Sequence, residues 1–436
     1  MAATILPCAK HIHRHTVIER EQPVPTMGGG CVLFFPLSFG GKKKCCNFAG
    51  KKNKEMNSLE IRKITDKRGL KQFICFYYNL YRGSKYAVPF LYFDEWNTLS
   101  RDKNASFECC DAEYFMAFRD GKPVGRVAAI INRRANERWN RQLVRFGWFD
   151  FVDDPEVSRA LLQAVEDWGK AQGMTEIAGP LGFTDMDREG MLIEGFEEMA
   201  TTYINYNYPY YPKHMERMGG WQKDNDYMEY HVRIPDVVPE KFSKLSAMIE
   251  KRYNLHTRKF TSRELVEEGK GREIFQMINE TYNNLYGYSH LSENQINQLV
   301  DAYIKKADLN LVTGVVDANA GDKLIGFGIT FPSFAKAMQK SRNGSLWPLT
   351  WWRVLRALKW HKTDTVDLLL IGVLPEYRVK GANALIFNEL IQRFQDYGFK
   401  WAEAMPQMES NEGVQSHWQY LESRQHRRHR CYRKDI

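Results

Sequence analysis

The chain has 436 residues, enough for two or more domains with cores of their own, and 43% apolar against 26% charged residues is the balance of a soluble globular protein. No apolar run reaches the length that a bilayer span needs, which excludes the helical membrane-spanning class. The net charge of +9 points at first to a polyanion, but residues 1–55 hold nine Lys or Arg against three Asp or Glu, so the remainder carries +3 and nucleic acid is not expected as a partner.

Residues 1–55 differ from the rest. They contain Gly28 to Gly30, basic clusters at Lys42 to Lys44 and Lys51 to Lys54, and Cys8, Cys31, Cys45 and Cys46, with no sustained helical or strand period. The segment is expected to be a disordered leader or an over-long reading frame, with translation starting at Met56 just before the strand-like LEIRKI. Its apolar patch, Val32 to Phe39, is broken by Pro36 and lies too deep for a signal peptide. His11, His13 and His15 alternate but have no scaffold to fix them, so no metal is expected. Cys75, Cys109, Cys110 and Cys431 show neither a CxxC pair nor a disulfide spacing, and a reducing cytoplasmic setting is expected.

From Leu59 the chain reads as a strand, then a helix capped by Asp66 with Phe73, Tyr77 and Leu80 on one face. An aromatic connection, Tyr86 to Trp96, leads to a hairpin: AEYFMAF, the turn Arg119-Asp120-Gly121-Lys122, and PVGRVAAIINR. A strand at Arg145 to Val152 and a helix at Pro155 to Gln172 follow, stopped by Gly173. The joint between them, from Asp153 to Arg159, is acidic and lacks glycine, which disfavours an anion there. Then come the strand MTEIAGP, the run Asn207-Tyr208-Pro209-Tyr210-Tyr211, the helix KHMERM, and Gly219-Gly220-Trp221. Gly182 to Thr202 carries six carboxylates and reads either as a solvated lid or as a substrate-binding loop.

A Pro-containing connector, Pro235 to Pro239, opens a second unit in the same order. It has a helix to Arg252, the strand LHTRKF, helices at Arg272 to Tyr288 and Glu293 to Ala307, and the strands LNLVTGVVD and KLIGFGITFP around a turn at Asn319 to Asp322. Between Phe331 and Asp364 an insertion interleaves Trp347, Trp351, Trp352 and Trp360 with Arg353, Arg356, Lys359, His361 and Lys362. Three roles fit residues 347–362: peripheral contact with an anionic membrane, a cover for an acyl chain, or a helix packed with its indoles inward.

The apolar run Leu368 to Leu374 ends at Pro375, and helical spacing resumes at Ala384, Leu385, Phe387, Leu390, Ile391 and Phe394. Gly398 stops that helix, Phe399 to Met405 reads as a strand, and Asn411 opens another helix. A loop that leaves a strand and enters a helix presents backbone N–H groups and the helix dipole to a phosphate. From Ser423 the tail is dense in Arg and reads as an edge strand kept single by its charges; it lacks a stacking platform for nucleic acid.

That loop, R-V-K-G-A-N-A from Arg378 to Ala384, resembles the Q/R-x-x-G-x-G/A pyrophosphate loop of the GCN5-related acyl-CoA N-acyltransferases, the GNAT superfamily, with Asn383 in place of the last small residue. The resemblance implies an α+β protein with two tandem GNAT-like domains, 56–231 and 234–436, each a mixed, mostly antiparallel sheet flanked by helices, the first with a degenerate phosphate loop. It implies acetyl-CoA or another acyl-CoA as co-substrate, held by Val373, Arg378, Val379, Lys380, Gly381, Ala382, Asn383, Ala384 and Asn411, with Arg378 and Lys380 as charge partners. The family's thiolate-protonating Tyr falls at Trp418, so Tyr420 becomes the candidate acid; Glu403 or Glu376 is the candidate base. In the first unit Tyr210 or Tyr211 takes the Tyr position or packs as core. The expected activity is transfer of an acyl group to a small-molecule amine or amino-acid-like acceptor by the second domain, and the alternative is a non-catalytic acyl-CoA-binding sensor or scaffold.

Overall fold

Strand β1 (Leu59–Lys63) runs into helix α1 (Lys67–Leu80), whose first turn is capped by the Asp66 carboxylate accepting from the Gly69 amide. The computed structural model describes residues 58–415 and 418–436, so the leader and the start expected at Met56 lie outside the described residues. Helix α2 (Tyr92–Leu99) precedes the hairpin of β2 (Cys110–Arg119) and β3 (Lys122–Asn132). Its turn residues, Asp120 and Gly121, both take positive φ (50° and 75°), the conformation whose twist matches that of paired strands. After α3 (Arg133–Trp139), strand β4 (Leu143–Phe151) is followed by the crossover helix α4 (Pro155–Ala171) and by β5 (Glu176–Gly179), which lies parallel to β4. Strand β6 (Met191–Glu194), helix α5 (Tyr210–Met218) and β7 (Gln222–Arg233) complete this half.

The second half repeats the plan. Helix α6 (Glu240–Tyr253), β8 (Leu255–Arg258), α7 (Ser262–Val266), α8 (Lys270–Thr281) and α9 (Glu293–Tyr303) lead to β9 (Val312–Asp317) and β10 (Lys323–Pro332). The insertion forms α10 (Ala335–Met338) and α11 (Thr350–Trp360). Strand β11 (Thr365–Val373), α12 (Pro375–Arg378), α13 (Asn383–Asp396) and β12 (Trp401–Met408) form the second parallel crossover, before α14 (Glu412–Gln415) and β13 (Ser423–Asp435).

One sheet runs through both halves in the order β1-β2-β3-β4-β5-β13-β7-β12-β11-β10-β9-β8, with β6 also on β13. Every neighbouring pair is antiparallel except β4/β5 and β11/β12, so the architecture is mixed and α+β, with one parallel joint in each half. The two halves lend each other strands: β13, from the end of the chain, lies between β5 and β7, while β7 pairs with β12.

This placement corrects the edge-strand reading of the basic tail. The charges of β13 do not keep it single because β7 opposes them with acids: Arg430 and Arg428 reach Asp226 at 2.7 and 2.8 Å, and Arg427 and His429 reach Glu229 at 2.7 and 2.6 Å. Arg427, His429 and Glu229 are essentially inaccessible to water, where a bare charge would cost several kcal/mol and a paired one is tolerated.

The insertion rests on the first half. Val354 and Ala357 of α11 join the core built around Phe73, Tyr77 and Phe90, and the Tyr92 amide donates to the Gly344 carbonyl at 3.0 Å. The inward-indole alternative is thereby corrected: small residues make the contact, while Trp347, Trp352 and Trp360 are 77%, 45% and 49% exposed.

Candidate functional site

Strands β11 and β12 are in register only from Thr365/Trp401 to Leu368/Ala404. Beyond that point β12 carries an irregularity between Ala404 and Gln407, where Pro406 has no N–H for a ladder bond, and the two strands part. The parting opens a cleft of about 310 Å³, walled by the β11 edge from Leu368 to Val373 and by Ala404 to Met408. A second chamber of about 180 Å³ adjoins it, and Asp185, Glu189, Tyr282, Leu369 and Met405 line both.

At one end of the cleft stands the loop from α12 to α13. Gly381 adopts φ +78°, which an L side chain takes only with strain, and an added Cβ would come 3.3 Å from Ile249. The fourteen-residue helix α13 starts just after it, so its positive dipole end faces the mouth of the cleft beside Asn383. Lys380 sits 4.2 Å over the Tyr377 ring. Val373, Arg378, Asn383 and Asn411 line the cleft.

The loop departs from its expected roles in three places. Arg378 turns back, its Nε donating to the Val373 carbonyl at 2.9 Å and a terminal nitrogen to Thr281 at 2.6 Å, so it braces the strand end instead of offering a free charge. Ala382 and Ala384 are buried in the core, where small side chains let α13 approach α6; Ser246 donates to the Ala384 carbonyl at 3.2 Å. Val379 is 90% exposed and Lys380 and Gly381 send their amides to the carbonyls of Tyr377 and Arg378, which leaves the helix end and Lys380 as the positive features.

The two expected catalytic residues are not at the cleft. Tyr420 is 43% exposed and lies against α6, with Lys241 3.2 Å from its ring. Glu403 bonds His231 at 2.8 Å and His426 at 3.0 Å. Burial alone would raise its proton affinity, but the bonds from His231 and His426 and the charge of Arg427 outweigh it and hold the carboxyl at about 2, far too acidic for a base. Glu376 lies in the exposed first turn of α12. Trp418 does line the cleft, its indole N–H donating to Gln407 at 2.9 Å.

What the cleft does contain is a set of groups from the first half. The loop 182–202 is no solvated lid: its β6 pairs with β13, and Gly182 packs so tightly that an added Cβ would come 2.2 Å from Asp187. It carries Asp185 and Glu189 into the cleft. Burial pushes the Asp185 carboxyl up to about 7 despite Arg145, and Glu189 is pushed up by burial and by the charge of Asp185. Glu189 and Tyr227 stand side by side on the cleft wall, where a hydrogen bond from the Tyr227 hydroxyl partly offsets the effect of burial on the Glu189 carboxyl. Across from them the Tyr282 hydroxyl donates to the Ile371 carbonyl at 3.2 Å, and burial lifts its pKa to about 12.

The matching joint in the first half is closed. Asp154 accepts from the Glu156 amide and caps α4 itself, with Arg119 bridging Asp154 and Glu156, so the helix end already holds an anion. Beyond the parallel register the Leu181 amide still reaches the Phe146 carbonyl at 2.8 Å, and Tyr211 stacks 4.2 Å from Phe151 with its hydroxyl on the Phe151 amide. Only about 30 Å³ is left there.

No protein-family model matches the chain. Among solved structures, a tandem GNAT protein from the clavulanic acid biosynthesis pathway superposes with a TM-score of 0.50 at 11% identity, over 87% of this chain and 98% of that one. The chain has the tandem GNAT fold. Among curated proteins it is similar to Protein YghO of Escherichia coli (strain K12), 27% identical over 386 residues that span 86% of this chain and 95% of that protein. It is also similar to a bacterial ceramide synthase of Caulobacter vibrioides (strain NA1000 / CB15N), 23% identical over 322 residues, 71% of this chain and 79% of that one. Within this tandem GNAT fold, sequence reasoning missed Asp185, Glu189, Tyr227 and Tyr282 as cleft residues. The one signal for the first two was the carboxylate-rich stretch after Gly182; nothing in the spacing of the two tyrosines marks them.

Proposed function

We propose that this protein is an acyl-CoA-dependent N-acyltransferase that works through the cleft of its second half. The observation that carries this reading is the parting of β11 from β12, which joins a positively polarised helix end to buried carboxylates through one continuous opening. The α13 terminus, Lys380 and Gly381 suit a pyrophosphate, and the stretch of β11 from Leu369 to Val373 that β12 leaves uncovered, with side chains of Tyr282 and Arg378 on its Ile371 and Val373 carbonyls, suits a pantetheine arm. The thioester supplies an activated acyl carbon. Glu189 takes the first proton from an acceptor ammonium and passes it to solvent; Tyr282 relays the second, released as the amide forms, to the departing sulfur.

The acceptor fits a lipidic amine. The cleft is mostly apolar, with Leu285, Leu368, Leu390 and Met408 on its walls, and a ceramide, for which one relative is named, is an N-acylated long-chain amino alcohol. Helix α11 would meet such an acceptor at a membrane surface from the cytoplasmic side; the four described cysteines are free thiols, which agrees with a reducing compartment. The alternative of a non-catalytic acyl-CoA sensor is favoured by one feature, Trp418 where the family places a tyrosine.

The test is to incubate the full chain with palmitoyl-CoA and a long-chain amino alcohol and to follow free thiol and amide product. Release of thiol matched by amide supports the enzyme; tight binding of palmitoyl-CoA without turnover for any amine establishes the sensor, and no binding removes both.

A further inference from the structure

The insertion's outer face carries two features that neither the core nor the cleft uses. The first is apolar: Trp347, Leu349, Trp351, Trp352 and Trp360 are all exposed, and the indoles of Trp352 and Trp360 close to 5.1 Å across Arg356, which lies one turn from each. The second is an open basin of about 570 Å³ directly beside them, lined by Lys336, Lys340, Arg353, Arg356 and Lys362. Lys336 is held at 2.7 Å by Asp364, the one carboxylate in the basin. Lys340, Arg353, Arg356 and Lys362 have no acidic partner among the described residues.

Either feature alone is ordinary on a protein surface, but their combination selects a partner. Indoles favour the boundary between headgroups and acyl chains, and cations at the same level meet lipid phosphates. We propose that this face docks the protein on an anionic bilayer, with α11 lying in the interface, its indoles at the boundary between headgroups and acyl chains and a lipid phosphate seated in the basin on Lys340, Arg353 and Arg356. The proposal rests on the membrane-surface reading of residues 347–362 and adds the lipid class and the headgroup site. An acidic soluble protein would satisfy the cations but leave the indoles, which stand proud of any groove, in water. The location also serves the cleft: Phe334, at the root of the insertion, packs 6.1 Å from Tyr203, which lines the second chamber.

The experiment is flotation of the full chain with vesicles of phosphatidylcholine alone and of phosphatidylcholine with 30% phosphatidylglycerol. Tryptophan quenching by brominated lipid in the same vesicles gives a reading on unsubstituted protein. Binding to the anionic vesicles, weakened by salt and accompanied by quenching, is expected. Lys340→Gln with Arg356→Gln should weaken it roughly 25-fold, at about fivefold for each cation removed. Trp351→Ser with Trp352→Ser should weaken flotation and lower the quenching, to which Trp347 and Trp360 still contribute, while the melting temperature and coenzyme A binding stay unchanged, since neither indole is core; undiminished flotation and quenching would overturn the placement of α11 in the interface. Equal binding to both vesicle types overturns the headgroup site and leaves the membrane reading standing. No binding to either overturns both and gives the face to a protein partner. Coenzyme A binding, measured without vesicles, reports separately on the acyltransferase reading.

Discussion

Replacing Glu403 by Gln separates a structural carboxylate from a catalytic one. In the fold Glu403 accepts from His231 at 2.8 Å, with His426 at 3.0 Å and Arg427 at 3.9 Å, and its side chain is only 14% exposed. Holding its carboxyl at about 2 against an ordinary 4.5 corresponds to about 3 kcal/mol of native stability. Because the folded value is depressed, that contribution is complete above about pH 5, where the unfolded carboxyl is also ionised, and is lost as pH falls toward 2. Glu403→Gln should therefore lower the unfolding free energy by about 3 kcal/mol at pH 7, seen as a lower urea midpoint by circular dichroism, and the gap from the parent should close as both are titrated below pH 4. Coenzyme A binding should be untouched, because no atom of Glu403 faces the cleft. Full stability at pH 7 with acyl transfer abolished would show that Glu403 is the base and that the assignment to Glu189 is wrong.

Glu189→Gln should keep acyl-CoA affinity and lower turnover roughly 100-fold or more, the usual cost of removing a positioned base; unchanged turnover would dismiss it from the chemistry. In the parent, activity should rise with pH above the ordinary carboxylate range, since both Asp185 and Glu189 hold their protons more tightly than usual; a rate already maximal at pH 5 would contradict this. Tyr282→Phe keeps the ring and removes the hydroxyl, so KM for acyl-CoA should hold while kcat falls, and an equal kcat would leave sulfur protonation to solvent.

Local rules carried much of the fold. The turn Arg119-Asp120-Gly121-Lys122 sits where the β2/β3 register puts it, with Arg119 opposite Lys122, because a two-residue turn of positive φ has few alternatives. The helix read from Ala384 to Phe394 is α13, and the one read from Pro155 to Gln172 is α4, their periodic apolar faces being enough to define them. The exchange of β13 and β7 escaped such reading because a strand's partner is a long-range property. In retrospect the complement was present, acids at Asp226 and Glu229 opposite the Arg-rich tail, but charge density alone describes an exposed edge equally well. The loop Arg378 to Ala384 was legible as a strand-to-helix joint, while the direction of the Arg378 side chain depended on the carbonyls of Val373 and Thr281, the latter 97 residues away in sequence. Likewise the cleft carboxylates come from a loop of the first half, and its reach into the cleft of the second half is a long-range property that local pattern does not carry. No helix among the described residues is long and apolar enough to cross a membrane.

The most direct measurement of the central claim, that acyl-CoA enters the second half between β11 and β12, is calorimetric titration of palmitoyl-CoA into the parent, Gly381→Asp and Asp154→Asn. An aspartate at 381 strains a backbone at φ +78° and sets a negative charge at the helix end, and like charges a few ångströms apart cost about 1 to 4 kcal/mol, a loss of roughly five- to 800-fold before the strain is added. Asp154→Asn keeps the α4 cap and should bind as the parent does. One site per chain in the parent and in Asp154→Asn, with little or none in Gly381→Asp, is the predicted result; affinity that depends on position 154 and ignores position 381 would place the acyl-CoA in the first half and contradict the account.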